Sequence, residues 1–243
     1  MNETSQIRIG VIVPAGNVVH EREFTRLRPD GVCFRFTGFS YPAAGTTRFC
    51  DDMARQLAEP IGELKAWGAE LMLLGCTTAS MSCADEAHRA QLAEMAGMPL
   101  ITAAGASRDA MTALGARSVA VATPYGDANN LIVSNFLKAH GVEVAAIKGL
   151  GLDRSLKAWR ERALNLTPQE VLDFSVSVDV DNAEAMYLPC TGIGSLEVLD
   201  MFERQACKPA FSSVQAGYWA SLRRLGVDGR KKGYGRLVDV WDF

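Results

Sequence analysis

Two cysteines stand in nearly duplicate surroundings. Cys76 closes the stretch Ala69-Glu70-Leu71-Met72-Leu73-Leu74-Gly75-Cys76-Thr77, and Cys190 closes Ala183-Glu184-Ala185-Met186-Tyr187-Leu188-Pro189-Cys190-Thr191. Each is an apolar run, broken by Gly or Pro, that ends in Cys-Thr. A free thiol has a pKa of about 8.5, and the N–H groups of a helix start lower it. Two thiols on opposite sides of a small substrate serve as a base and an acid, or as a nucleophile and an acid. Neither scheme requires a cofactor. Thr77 and Thr191 begin turns expected to open helices, whose N–H groups favour a thiolate and bind carboxylates.

The other cysteines, Cys33, Cys50, Cys83 and Cys207, read as small core hydrophobes. There is no C-x-x-C pair and there are only three histidines, so no metal site is expected. His20, His88 and His140 fall in helical stretches with polar neighbours and are expected at the surface. Met1 to Gln6 is polar and leads straight into a strand, which does not read as an export signal, so the thiols are expected to be reduced and the protein cytoplasmic. The net charge of −3 leaves no basic excess to neutralise phosphates, which argues against a nucleic-acid partner. The cluster from Arg223-Arg224 to Arg230-Lys231-Lys232 reads as a solvated turn. No run approaches the ~20 apolar residues of a membrane helix, so no membrane partner is expected.

Apolar runs of this length bounded by Gly or Pro read as buried parallel strands, and a Cys at the carboxyl end of one stands where open α/β sheets hold their ligands. The first cycle reads as strands over 7–13, 32–37, the run ending at Cys76, and 99–102. Helices are expected over 18–27, 50–67, 83–95 and 106–114, and a loop near the site over 38–47. The second cycle reads as strands over 118–122, 142–147, the run ending at Cys190, and 210–212. Thr123 to Asp127 is expected to break the first of these, and Gly149 to Ser155 to form a loop. Helices are expected over 128–140, with Leu131, Phe136 and Leu137 on one face, from Thr167-Pro168-Gln169-Glu170 onward, over 195–205 and over 215–225.

The cycles match element by element at a spacing of about 110 residues, far beyond solenoid periods, so they imply duplicated domains. The expected fold is α/β: two pseudo-symmetric lobes, residues 1–115 and 116–243, each a parallel four-stranded sheet flanked by helices. The C-terminal helix and tail, about 213–243, are free to pack back on the first lobe. A pseudo-twofold axis would bring equivalent strand ends together. Cys76 would then face Cys190 across the cleft, with Asn17 and Tyr125 on flanking loops. Asn17 and Asp127 also fit as ordinary helix caps.

The motifs Val13-Pro14-Ala15-Gly16-Asn17, Gly75-Cys76-Thr77-Thr78, Thr123-Pro124-Tyr125 and Pro189-Cys190-Thr191-Gly192, with the ending Gly233-Tyr234-Gly235-Arg236-Leu237, resemble the aspartate/glutamate racemase superfamily. The closest resemblance is to its branch of maleate cis-trans isomerases and arylmalonate decarboxylases, and it covers nearly the whole chain. It implies Rossmann-like lobes, a cofactor-free site between them, a small carboxylate substrate and a homodimer or higher oligomer. The decarboxylases have Gly where this chain has Cys76, so the thiol pair favours an isomerase or a racemase. By the same resemblance Cys76 is the nucleophile, Cys190 exchanges the proton, and Asn17 and Tyr125 hold carboxylates. The N–H groups of Thr77, Thr78, Thr191 and Gly192 would stabilise charge on the substrate oxygens. Where the isomerases carry an Asn in the loop corresponding to 151–155, this chain has none, and Arg154 reads either as a charged clamp in its place or as a solvent-facing residue. A two-base racemase or epimerase of an amino acid or related acid, an arylmalonate-type decarboxylase and a dicarboxylate-binding protein without catalysis are the competing readings.

Overall fold

In the computed structural model, which describes residues 6–43, 47–152, 161–163 and 165–241, the apolar runs form two parallel four-stranded sheets. The first has the order β2-β1-β3-β4, from β1 (Ile7–Pro14), β2 (Val32–Phe39), β3 (Leu71–Leu74) and β4 (Leu100–Thr102). The second has the order β6-β5-β7-β8, from β5 (Ser118–Tyr125), β6 (Glu143–Leu152), β7 (Ala185–Leu188) and β8 (Ala210–Ser212). The two orders are the same pattern repeated. In each, the chain reverses its direction of travel across the sheet between the first and third strands, β1/β3 and β5/β7. The carboxyl ends flanking that reversal are where open α/β sheets bind ligands. Asn17 follows β1, Cys76 follows β3, Tyr125 ends β5 and Cys190 follows β7.

Period-two packing explains why the central strands are apolar on both faces. Ile9, Val11, Leu71 and Leu73 face one shared core with Val119, Val121, Tyr187 and Phe211 of the other sheet. Ile12, Met72 and Leu74 face the opposite way, onto Met53, Leu57, Ile61 and Leu64 of α2 (Phe49–Trp67). In the second lobe Ala120, Ala122, Met186 and Leu188 face Val171 and Leu172 of α7 (Pro168–Val176) and Val198, Leu199 and Phe202 of α8 (Leu196–Ala206). The remaining helices are α1 (Val18–Leu27), α3 (Thr77–Ser82), α4 (Glu86–Ala96), α5 (Ala103–Ala113), α6 (Asp127–Ala139), α9 (Ser213–Arg224) and α10 (Arg236–Asp239).

The lobes join through equivalent helices. α5 follows β4, α9 follows β8, and these two pack on each other. α9 also touches α1, β3 and β4 of the first sheet. Tyr187 of β7 reaches across to donate to Ser107 Oγ on α5 at 2.9 Å and lies 2.8 Å from Ser213 Oγ on α9. Burial pushes the Tyr187 phenol up to about 12, against its two serine hydrogen bonds. It stays a neutral hydrogen-bonding group there.

Several expectations need correction. The helix after Cys76 begins at Thr77, and Cys83 caps its end, separated from α4 by a break. β5 runs on through Thr123-Pro124-Tyr125, because the missing Pro N–H falls at a register shift in its pairing with β6. β6 runs through Gly149 to Leu152; the rest of the expected loop lies outside the described residues. A Cβ at Gly149 would sit 2.0 Å from Tyr125 O, so the close strand approach requires glycine there. Leu131 is 60% exposed; Phe136 and Leu137 make the buried face of α6 with Val133 instead. The expected start at Thr167 is a capping box: Glu170 N–H donates to Thr167 Oγ1 and Thr167 N–H to Glu170 Oε2. No helix among the described residues is long and apolar enough to cross a membrane.

The expectation of six reduced thiols also fails. Cys50 at the start of α2 is bonded to Cys83 at the end of α3, with Cα atoms 5.6 Å apart. Cys33, Cys76, Cys190 and Cys207 are free of disulfides. A pairing of residues 33 positions apart depends on how two helices pack, which spacing does not reveal.

Candidate active site

Cys76 and Cys190 occupy equivalent strand ends but different backbones. Cys76 is extended (φ −137°) and is the N-cap residue of α3, so the N–H groups of Thr77 and Thr78 open the helix beside it. Cys190 has φ +136°, a conformation that L-residues adopt only when their surroundings enforce it. Thr191 does not open a helix, contrary to expectation. The turn Thr191-Gly192-Ile193-Gly194 intervenes, and α8 begins at Leu196 with Ser195 as its N-cap residue. Two glycines in four residues weaken helix formation there.

One hydrogen bond ties the two cysteine loops together. Thr191 Oγ1, next after Cys190, donates to the carbonyl of Gly75, next before Cys76, at 2.9 Å. Asn17 Nδ2 donates to Thr191 O at 2.9 Å and lies 3.2 Å from its Oγ1. Asn17 Oδ1 meanwhile accepts the His20 N–H, so Asn17 is both a helix cap and an inter-lobe bridge. Gly192 N–H donates to Cys190 Sγ at 3.3 Å. Both cysteines have 0% exposure.

The other expected residues surround this pair. Thr77 Oγ1 is buried without a hydrogen bond among the described residues. Thr78 is buried and its hydroxyl lies 3.3 Å from that of Tyr41, which brings the segment after β2 against α3. Tyr125 is buried at the end of β5, its N–H donating to Thr123 Oγ1. Arg154 lies outside the described residues. No cluster of three His, Cys, Asp or Glu suited to a metal ion occurs among them.

Two residues beside the cysteines escaped the sequence reading. His20, expected at the surface, is fully buried with its ring edge-on to Phe24 and against Gly75, where a Cβ would lie 2.5 Å from His20 Cε1. Neither ring nitrogen is hydrogen-bonded among the described residues. Burial takes its pKa from 6.5 down to about 3, opposed by the Gly75 backbone. The folded protein therefore keeps His20 neutral while the unfolded chain gains a proton below pH 6.5. This contribution to stability is intact above that pH and is lost as pH falls toward 3. Replacing His20 with Leu is expected to remove a slope of up to about 1.4 kcal/mol per pH unit across that window. Urea unfolding of both proteins from about pH 4 to pH 7 checks this, and parallel curves would refute it.

Glu23 is the second. It is 2% exposed, on α1, and binds the start of α8. Burial raises its carboxyl above the usual range, opposed by hydrogen bonds from Leu196 and Ser195 and by the nearby Arg22. The sequence did carry a signal. Val19, Glu23 and Leu27 follow each other at helical spacing, and a carboxylate between two buried apolar positions is out of place on an exposed face.

These features define a two-lobed α/β protein with a thiol at each of two equivalent strand ends. A sequence model of the arylmalonate decarboxylase family matches residues 9–238, and the chain belongs to that family. Arylmalonate decarboxylase from Bordetella bronchiseptica is 28% identical, over 98% of this chain and 99% of that protein. The structure of a cysteine-to-alanine form of maleate isomerase from Pseudomonas putida S16 with maleate is 27% identical, with a TM-score of 0.84 over 96% of this chain and 97% of that one. A cysteine-to-serine mutant of maleate cis-trans isomerase from Nocardia farcinica, with a covalently bound succinylcysteine intermediate, is 25% identical, with a TM-score of 0.81 over 96% and 98% of the two chains.

Proposed function

We propose that the protein is a cofactor-independent cis-trans isomerase of a small unsaturated dicarboxylate of the maleate type. The carrying observation is a cysteine on each side of the Thr191–Gly75 hydrogen bond, at equivalent ends of β3 and β7. The known decarboxylases resembled by the sequence have glycine at the first of these positions. The similar Nocardia protein with its succinylcysteine intermediate gives the reading a chemical precedent.

The steps balance in protons and electrons. The Cys76 thiolate adds to one alkene carbon, and the electron pair of the C=C bond moves toward the adjacent carboxylate. Cys190 gives its proton to the other carbon and becomes a thiolate, on which the Gly192 N–H can remain. The former double bond is now single and rotates. Cys190 then removes a proton from the carbon it protonated, the double bond re-forms, and Cys76 leaves as the thiolate. Cys76 is therefore nucleophile and leaving group, and Cys190 is acid and then base.

A carboxylate is a poor electron sink, so the oxygens need donors as charge develops. Thr77 is the best placed, since its buried hydroxyl has no bond to exchange. The Thr77, Thr78 and Thr191 N–H groups and the Tyr125 hydroxyl complete the set, with Arg154 as a clamp on the second carboxylate. Asn17 holds the Thr191 backbone beside Cys190.

Decarboxylation is the second reading, supported by the family match and by the Bordetella relative. It would use Cys190 as the proton donor and leave Cys76 without a covalent role. Maleate and phenylmalonate, incubated in parallel with the purified protein in D2O and followed by proton NMR, separate the two. Fumarate from maleate, with phenylmalonate unchanged, is expected. Phenylacetate formation without fumarate would reverse the assignment. Deuterium exchange at Cα of aspartate or glutamate would instead identify a racemase.

A further inference from the structure

We propose that Glu23 is a positioning residue for Cys190: from the first lobe it caps α8 of the second and thereby holds the left-handed turn that carries the thiol. The inference rests on the reading of Cys190 as the proton-exchanging group.

A carboxyl group loses hydration when buried and persists there only with compensating partners. Glu23 makes three hydrogen bonds among the described residues, and all go to one place. Its Oε1 accepts the Ser195 N–H at 2.6 Å and the Leu196 N–H at 3.0 Å, and its Oε2 accepts from Ser195 Oγ at 3.2 Å. The first N–H groups of a helix have no partner within it. Ser is a favoured N-cap residue, yet Ser195 makes no capping bond of its own, and its hydroxyl turns to Glu23. The cap of α8 is thus supplied from 172 residues away, by the opposite lobe.

The turn between Cys190 and Ser195 is consequently held at both ends by one helix. Asn17, at the N-terminus of α1, holds Thr191, and Glu23, farther along α1, holds Ser195 and Leu196. α1 also lies directly against the middle of the turn. A Cβ at Gly194 would be 3.0 Å from Arg22 Nη2 and 3.9 Å from Glu23 Oε1. The seam continues outward, where Arg26 of α1 pairs with Glu197 of α8. A residue at φ +136° returns to a commoner conformation unless both flanks are fixed. Glu23 fixes the downstream flank, and with it the direction of the Cys190 side chain.

Three variants test this. Glu23→Gln keeps an oxygen able to accept both N–H groups, and its amide can donate to Ser195 Oγ. Glu23→Asp falls short by one methylene, and Glu23→Ala removes the acceptor. With maleate, Glu23→Gln is expected to stay within about fivefold of wild-type kcat, while Ala and Asp fall at least about 50-fold with KM within about threefold. A role confined to stability would lower the melting temperature and leave the kcat of folded protein unchanged. Hydrogen–deuterium exchange supplies a readout independent of substrate. Amides of 191–196 should exchange at least about tenfold faster in Glu23→Ala, and in Glu23→Asp, with β7 still protected. Should Glu23→Ala fail to fold, the Gln and Asp variants decide by the same two measurements. Wild-type kcat and unchanged exchange in Glu23→Asp would overturn the proposal, as would Gln behaving like Ala. Cys190→Ser is the control on the underlying reading. If that variant keeps full activity, Cys190 is not catalytic, whatever Glu23 does to the turn; the exchange measurement still scores Glu23 alone.

Discussion

Cys76→Ser should reduce turnover of maleate by on the order of 10⁴-fold or more, the scale on which removal of a covalent nucleophile acts. A serine hydroxyl is protonated at neutral pH and adds to an alkene far less readily than a thiolate. The substitution is otherwise mild. The Cys76 carbonyl accepts the Ser80 N–H at 3.1 Å, a bond the substitution leaves in place, and its side chain makes no capping bond to α3. The variant is therefore expected to fold, with an unchanged circular dichroism spectrum. Fumarate formation followed by NMR gives the answer. A folded Cys76→Ser protein that isomerises maleate near the wild-type rate would eliminate thiolate addition altogether.

Cys190→Ser is expected to lower turnover on the order of 10³-fold, within the range for loss of a general acid–base group. Its distinguishing outcome is a trapped adduct. Serine can still relay a proton slowly during addition, but it is a weak base for removing one from carbon. Protein incubated with maleate should gain the mass of one substrate molecule, and peptide mapping should place it on Cys76. The double replacement of Cys76 and Cys190 should show no gain. Replacing both should cost little more than replacing Cys76 alone, because the two act in the same steps. A mass gain on Cys190 in the Cys76→Ser protein would instead exchange the roles of the two sulfurs.

Much of this was legible in the chain. Leu71–Leu74 and Ala185–Leu188 read as buried central strands because they are short, apolar and punctuated, and both are fully buried. The repeated order of elements foretold two sheets of identical topology. What stayed hidden was mostly tertiary. His20 looks like a surface residue in a polar stretch, and the packing of α1 against Gly75 and Phe36 buries it; the spacing of Glu23 with Val19 and Leu27 marked an inward face but not its partners Ser195 and Leu196. The difference between the two cysteine loops was missed for another reason. The duplicated Cys-Thr invited equal treatment of Thr77 and Thr191, although Gly192 and Gly194 favoured a turn after the second. Leu131 fitted a helical stripe by spacing, but its direction depends on which face of α6 meets the sheet.

The bond between Cys50 and Cys83 closes a ring of chain that contains β3, Cys76 and α3. On the chain-entropy account, a link at a separation of 33 residues restricts the unfolded polypeptide by about 3–4 kcal/mol. Dithiothreitol, the usual additive for guarding a reactive sulfur during purification, is also the reagent that opens this ring. A preparation stored with it would have a protected nucleophile on a loosened support, and its rate would reflect both changes. Handling under argon without a thiol additive guards the one while sparing the other.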